Sequence, residues 1–221
     1  MNFHLKLKLF KFFQKILSFF NLKIYYSKEP DYFNSLDVKN IIDVGVEKGT
    51  RFLNSKFPLA FYYLVEANPK YYEYLENIFL KKFNGKLFKF AAGKEEGNQL
   101  LYDAGPISSF YKRENFNFKK KINVKILPLD IILLKENITR DTILKIDCEG
   151  GELEVLKGAS KTLEQIEYVI IELRLQKITT YNPSEVINFL YEKKFIWKQI
   201  LNVYFAKVGI DYIDILFQKK P

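Results

Sequence analysis

Cysteine and histidine, the side chains that most often serve as nucleophile, base or soft metal ligand, are nearly absent from this sequence. The single cysteine, Cys148, has no partner for an intrachain disulfide. A reducing, cytoplasmic setting is the simplest expectation. The single histidine, His4, stands in the N-terminal tail. A histidine base and a histidine-rich metal site are thereby excluded from the rest of the chain, and proton transfer falls to Asp, Glu, Lys or Tyr. Long apolar runs are missing as well. The N-terminal stretch without charge, Ile16 to Leu22, falls far short of the ~20 residues a membrane-spanning helix needs. No small-residue cleavage site follows it, which argues against a secretory signal. Repeats and low-complexity tracts are also absent.

What is present suits one packed domain with a small appendage: 221 residues, 48% hydrophobic and 28% charged. The net charge of +9 suits nucleic acid, an anionic membrane surface or acidic substrates. The abundance of Lys, Asn, Ile, Phe and Tyr reads as a biased genomic composition, so the charge is discounted as a functional signal.

Residues 1–37 form the appendage. Phe3, Leu7, Phe10, Phe13, Leu17 and Phe20 recur at helical spacing, as do Leu5, Leu9, Phe12, Ile16 and Phe19. Together they cover roughly half a helix circumference at about 100° per residue. Lys8, Lys11 and Lys15 line the remaining stripe. Two placements are open for this basic amphipathic helix. It docks on its own domain or on a second copy as a homodimer, or residues 3–24 lie on the inner membrane surface as a peripheral contact.

From residue 38 to 221 strand-like and helix-like segments alternate. Strands are expected at Ile41 to Gly45, Phe61 to Glu66, Leu87 to Ala92, Thr142 to Asp147 and Tyr168 to Glu172. Between them lie helices at Phe52 to Phe57, after Asn68-Pro69 (with Tyr71, Leu75 and Ile78 on one face and Asn84-Gly85 closing it), and at Leu129 to Leu134. Another starts at Asn182-Pro183-Ser184-Glu185, whose spacing is that of a capping box. Phe195 to Phe205 and Tyr212 to Gln218 alternate like an antiparallel hairpin. Gly93 to Pro128 reads as a β-rich insertion over one end of the sheet. The fold class is α/β, a mostly parallel twisted sheet covered by helices on both faces.

The first strand ends in Asp43-Val44-Gly45-Val46-Glu47-Lys48-Gly49, and the second in Glu66. In an open α/β sheet, ligands sit beyond the carboxyl ends of the strands. The pattern is not G-x-G-x-x-G, and a carboxylate at position 43 disfavours a pyrophosphate. It suits a ligand with a cationic, hydroxyl-rich end. S-adenosylmethionine fits, with its sulfonium, ammonium and ribose. Glu66 is placed to accept both ribose hydroxyls. The plain alternative is a tight turn at Gly45 and Gly49 without ligand, and an exposed strand-end carboxylate at Glu66.

The stretch ILKIDCEGGELEVLKGA, residues 143–159, places Lys145, Asp147 and Glu149 on one side of a strand end. Buried strands rarely carry three charges without cause. A lysine between carboxylates holds them ionised, which makes a candidate general-base site; the alternative is a structural salt-bridge cluster. Hard oxygen ligands also suit a divalent cation shared by Asp147 and Glu149, and the sequence leaves this open.

IIDVGVEKG, YLVEANP, LPLDIIL, LKIDCEGGELEVLKGA and VIIEL occur in this order over residues 41–173. Together they resemble the FkbM-type family of S-adenosylmethionine-dependent methyltransferases. The resemblance implies a Rossmann-like methyltransferase fold and O-methylation of a sugar, glycan or secondary-metabolite hydroxyl. It implies cofactor contacts at Asp43, Gly45 and Glu66 and places Ser109 near the cofactor end; Gly49 and Ala92 are expected to join them. Lys145, Asp147, Glu149 and Glu152 are then expected to face the reaction centre. The acceptor, a small molecule or glycan, is expected under the insertion near Tyr102, Phe110, Tyr111 and Phe116. Glu47 stands where the family pattern has Asn. A rival reading rests on it: a non-catalytic membrane-surface or scaffold protein that keeps the fold. Nucleic acid is not expected as a partner, because no N-P-P-Y-like base clamp follows the fourth strand.

Overall fold

The computed structural model describes residues 32–105, 108–111, 118, 120–175, 181–206 and 209–220. The helix expected over residues 3–24 lies outside them. The chain divides after Tyr32, and the fold described here is that of the unit Phe33–Pro221. Phe33, Leu36 and Val38 are buried in this unit.

In chain order the elements are β1 (Asn40–Val44), α1 (Arg51–Lys56), β2 (Phe61–Val65), a helical stretch α2 (69–82), β3 (Gly85–Phe88), β4 (Ala91–Ala92), β5 (Gly97–Asp103) and β6 (Lys120–Leu127). There follow α3 (Leu129–Ile132), β7 (Thr142–Ile146), α4 (Glu152–Lys157), α5 (Ser160–Gln165), β8 (Tyr168–Arg174), α6 (Pro183–Glu192), β9 (Phe195–Phe205) and β10 (Ile210–Lys219). Among the described residues the main sheet has the order β3-β2-β1-β7-β8-β10-β9. Its first five strands run parallel and the last two form the expected antiparallel hairpin. The chain leaves β1 on one side for β2 and β3, then returns on the other side as β7. That reversal opens a crevice at the carboxyl ends of β1 and β7, where ligands bind in open α/β sheets.

β1 and β7 read NIIDV and TILKI because a central parallel strand is buried on both faces. On one face Ile42, Val44, Leu144, Ile146, Val169 and Ile171 join residues of α3 to α6 in the main core. The capping box at α6 forms as read: Asn182 Oδ1 accepts from Ser184 N–H, and Glu185 accepts from Asn182 N–H at 2.6 Å. No helix among the described residues is long and apolar enough to cross a membrane.

Three local expectations change. In α2, Tyr71 and Leu75 are buried, but Ile78 is exposed and Phe79 takes its place. The turn Leu75–Phe79 is widened, with Leu80 N–H bonding Leu75 O, so the buried stripe advances by one residue. Gly85 begins β3 and does not close the helix. The third strand is two pieces: β3 stays in the main sheet, and β4 pairs with β6, which pairs in turn with β5 in a second sheet of order β4-β6-β5. That sheet is the β-rich insertion, with a small core of Ala91, Leu101 and Val124.

Candidate functional site

The loop after β1 is shaped by close approach. Gly45 has φ +80°, and a Cβ there would lie 1.8 Å from the Asp147 carbonyl oxygen. At Gly49, φ is +99° and a Cβ would lie 2.5 Å from the Phe79 ring. Asp43 is fully buried. Its Oδ2 accepts from the Thr50 hydroxyl at 2.9 Å. Oδ1 takes no hydrogen bond and faces Lys145 Nζ at 3.6 Å. Burial raises the Asp43 carboxyl above its usual range, against the pull of Lys145.

Glu66 closes β2. Its Oε2 accepts from Glu47 N–H at 2.8 Å and its Oε1 from Asn68 N–H at 2.7 Å. Burial raises its pKa, and these two N–H bonds oppose the rise. A carboxylate has about four acceptor positions, so lone pairs remain for ligand hydroxyls. Asn68 also bonds Asp103 at 3.1 Å. Burial works against the Asp103 charge, but donors at Gly105, Asn68 and Ser108 hold its carboxyl below the usual range. Thus the insertion is fastened to the end of β2.

At the end of β7, register decides the contacts. Asp43 and Lys145 are neighbours across β1 and β7. Lys145 Nζ therefore sits between Asp43 and Asp147, 2.9 Å from Asp147 Oδ2. Burial lowers a lysine pKa, yet Asp147 and Asp43 outweigh it and hold Lys145 charged. Glu149 and Glu47 are both in the left-handed region, at φ +52° and +53°. Non-glycine residues persist there only where the surroundings fix them, commonly at functional sites. Glu152, expected at the reaction centre, is instead fully buried beneath the turn. It accepts from Cys148 N–H, Gly150 N–H and the Tyr181 hydroxyl at 3.0, 3.0 and 2.6 Å. Its oxygens are consumed in shaping the loop.

None of the expected site residues marks the other wall. Glu172 and Arg174 lie two apart on β8, so both face one side. Glu172 is opposite Asp214 of β10, which is opposite Asn202 of β9. Arg174 is opposite Tyr212, which is opposite Tyr204. Two polar rows therefore cross the sheet. Arg174 binds Glu149 at 2.6 Å and Glu172 at 3.2 Å. Its guanidinium lies 4.8 Å from the Tyr212 ring centre, and Tyr212 stacks on Tyr204 at 4.1 Å. The signal was a polar pair at period two within each apolar strand: Glu-x-Arg, Asn-x-Tyr and Tyr-x-Asp.

Burial, followed by Asp147 and with Glu149 and Asp214 adding to it, pushes the Glu172 carboxyl up to about 9. The folded state therefore holds a proton that the unfolded state releases above about pH 4.5. Stability from this group is full below that pH and is lost as pH rises through about 9. Glu172→Gln removes the titration, so melts at pH 6 and 9 differ less in the variant. Each pKa unit removed is worth about 1.4 kcal/mol, or about 3–6 °C for a chain of this size at pH 9. An unchanged pH dependence refutes the assignment.

These walls enclose a cavity of about 600 Å³, within the usual range for small-molecule sites. Of the expected site residues, Gly45, Gly49, Glu66, Ala92, Lys145, Asp147 and Glu149 line it. Asp43, Ser109 and Glu152 are not among its lining. Asp43 lies behind the loop and meets the site through Lys145. The Ser109 hydroxyl donates to the Glu149 carbonyl at 2.9 Å, pinning the insertion to the β7 turn; its neighbour Ser108 is the serine that lines the cavity. Of the aromatics expected around the acceptor, Phe110 lines the cavity, whereas Tyr102 packs on Phe118 at 5.0 Å and Phe116 lies outside the described residues. Asp147, Glu149 and Glu172 each bring one oxygen within 4.8 Å of the others, a donor set suited to a hard divalent cation. Lys145 already pairs with Asp147, and Arg174 with Glu149 and Glu172.

The model described as the methyltransferase FkbM domain matches residues 43–196. The hexuronic acid methyltransferase AglP of Haloferax volcanii is 30% identical over 73 residues, which is 33% of this chain and 29% of that protein. The chain thus matches less than a third of that relative's length. Among solved structures, methyltransferase FkbM from Methylobacillus flagellatus KT aligns with a TM-score of 0.48 at 12% identity, over 82% of this chain and 43% of that one. Magnesium protoporphyrin IX methyltransferase (ChlM) from Synechocystis PCC 6803, solved with bound SAM, gives a TM-score of 0.51 at 8% identity, over 86% of this chain and 74% of that one. At that identity the likeness is one of fold.

Proposed function

The chain belongs to the FkbM methyltransferase domain family, and from that premise we propose that it moves the methyl group of S-adenosylmethionine to a hydroxyl oxygen of a sugar or glycan. The observation that carries the reading is one cavity lined together by Glu66, the glycine loop, Asp147 and Lys145. The name of the Haloferax relative supports a sugar as acceptor.

Glu66 would hold the donor's ribose hydroxyls with its remaining lone pairs. The backbone of Gly45 to Gly49 would let the donor lie close where a side chain would intrude. The donor supplies an activated methyl group. An acceptor oxygen placed beside Asp147 would take that methyl group, the new C–O bond replacing the donor's C–S bond and leaving a neutral thioether. The acceptor proton passes to Asp147, a step typically worth about 10²–10⁴-fold. Lys145 is a positioning residue: its 2.9 Å contact aims the Asp147 carboxylate. Alignment of the two reactants supplies much of the remainder, up to about 7–11 kcal/mol in well-oriented systems. Glu47 lines the same cavity; its N–H serves Glu66 and its carboxyl neighbours the Tyr71 hydroxyl.

Titration calorimetry with S-adenosylmethionine, followed by a transfer assay on a sugar panel, tests the proposal. Heat of binding and donor-dependent transfer are expected. No heat and no thermal shift would favour the non-catalytic reading. Because Lys145 already pairs with Asp147 and Arg174 with Glu149 and Glu172, treatment with EDTA is expected to leave turnover within about twofold. A tenfold loss restored by Mg²⁺ would instead put a cation among Asp147, Glu149 and Glu172.

A further inference from the structure

We infer that the acceptor subsite is built by the β9–β10 hairpin and β8, not by the insertion, and that it takes a sugar ring bearing no negative charge near the methylated hydroxyl. The inference rests on the methyl-transfer reading above and adds the substrate class.

The two cross-strand rows carry it. In the first, Tyr204 stacks on Tyr212, which lies under Arg174. Tyr204 is still 41% exposed and lines the cavity, so it offers a ring face of the kind on which sugar C–H edges and amino groups rest. In the second, Glu172 and Asp214 stand opposite one another, both buried and both lining the same cavity near Asp147. Asp214 is oriented by Asn202 at 2.7 Å. These are acceptors for sugar hydroxyls in fixed positions. Arg174 Nε is buried and has no hydrogen-bond partner among the described residues.

Charge then selects within the class. With Glu172 holding its proton, Asp147, Glu149, Asp211 and Asp214 at this end of the cavity still outnumber Lys145 and Arg174 among the described residues. The Arg174 guanidinium is shared among Glu149, Glu172 and Asp211, so it is not free to receive a carboxylate or a phosphate. A hexuronate would place its carboxylate against this excess at a low-dielectric site, where like charges are costly. A hexose brings only hydroxyl donors, and a hexosamine adds a favourable cation.

The test is transfer from S-adenosylmethionine to methyl glycosides of a hexose, a hexosamine and a hexuronate of matched configuration. The hexose and hexosamine are expected to exceed the hexuronate in kcat/KM by at least tenfold, equivalent to 1.4 kcal/mol. Tyr204→Ala should raise KM for the hexose about tenfold with kcat and donor affinity little changed, and Tyr204→Phe should behave as wild type, since only the ring face is used. Asp211→Asn combined with Asp214→Asn should narrow the gap to the hexuronate. Preferential methylation of the hexuronate, transfer to none of the three by a protein that binds the donor, or a Tyr204→Ala variant with unchanged KM overturns the inference alone. Failure to bind the donor overturns the parent reading, and this one with it.

Discussion

Replacing Asp147 by asparagine is expected to lower turnover by about 10²–10⁴-fold while the dissociation constant of the donor stays within about threefold. The substitution keeps size and hydrogen-bonding reach but removes the group that takes the acceptor's proton. Asp147 is the candidate because it combines access with a cationic partner. Its side chain is 29% exposed to the cavity and is held by Lys145. The neighbouring carboxyls are less suited. Glu149 is bound at 2.6 Å by Arg174, and Glu172, pushed up to about 9, already holds its proton at neutral pH. A pH–rate profile separates the candidates. With Asp147 as base, Glu172→Gln leaves the shape of the profile unchanged. With Glu172 as base, the rate climbs as pH approaches about 9 and Glu172→Gln abolishes that rise. Turnover of Asp147→Asn within about threefold of wild type would remove Asp147 from the mechanism.

The sheet was legible because buried parallel strands must be apolar and helix starts must be capped. Residues 40–44 and 142–146, and the Asn68-Pro69 and Asn182-Pro183 starts, could hardly fold otherwise. Periodicity failed where the backbone departed from regular geometry. The wide turn at Leu75–Phe79 exchanged Ile78 for Phe79, a shift that a fixed 100° step cannot express. At the site, the motif residues of β1, β2 and β7 were visible, because charges at strand ends stand out against apolar runs. Their division of labour was not. Whether a buried acid faces the ligand or the fold depends on which N–H groups reach it. Glu66 and Glu152 each accept from two backbone N–H groups, yet only Glu66 keeps a side towards the cavity. Glu152 is closed off by Tyr181, a contact distant in sequence. The wall formed by Glu172, Arg174, Tyr212 and Tyr204 escaped notice for a related reason. Each strand contributes one unremarkable alternating pair, and the antiparallel register that joins the pairs into rows is a property of the sheet.

Substituting alanine for Gly45 is expected to be the most damaging single-methyl change in the chain, lowering stability by about 3–5 kcal/mol. Two costs coincide. The position has φ +80°, a conformation that costs an L-residue roughly 1–2 kcal/mol. The new Cβ would lie 1.8 Å from the Asp147 carbonyl oxygen. That atom belongs to backbone whose N–H is already tied to Val44 O at 3.1 Å, so no side chain can swing aside to relieve the contact. β7 must move away from β1, breaking the register that sets Lys145 between Asp43 and Asp147. For a chain of this size the melting temperature should fall by about 6–20 °C. Below the melt, turnover should fall as well, because displacing Asp147 by even about 1 Å costs on the order of 10²-fold. Gly97→Ala is the matched control: a Cβ there meets nothing within 4 Å, and its melt and turnover should stay at wild-type values. A Gly45→Ala variant that melts within 2 °C of the control would mean that β1 and β7 are not held at this distance, and the shared cavity at their ends would lose its geometric basis.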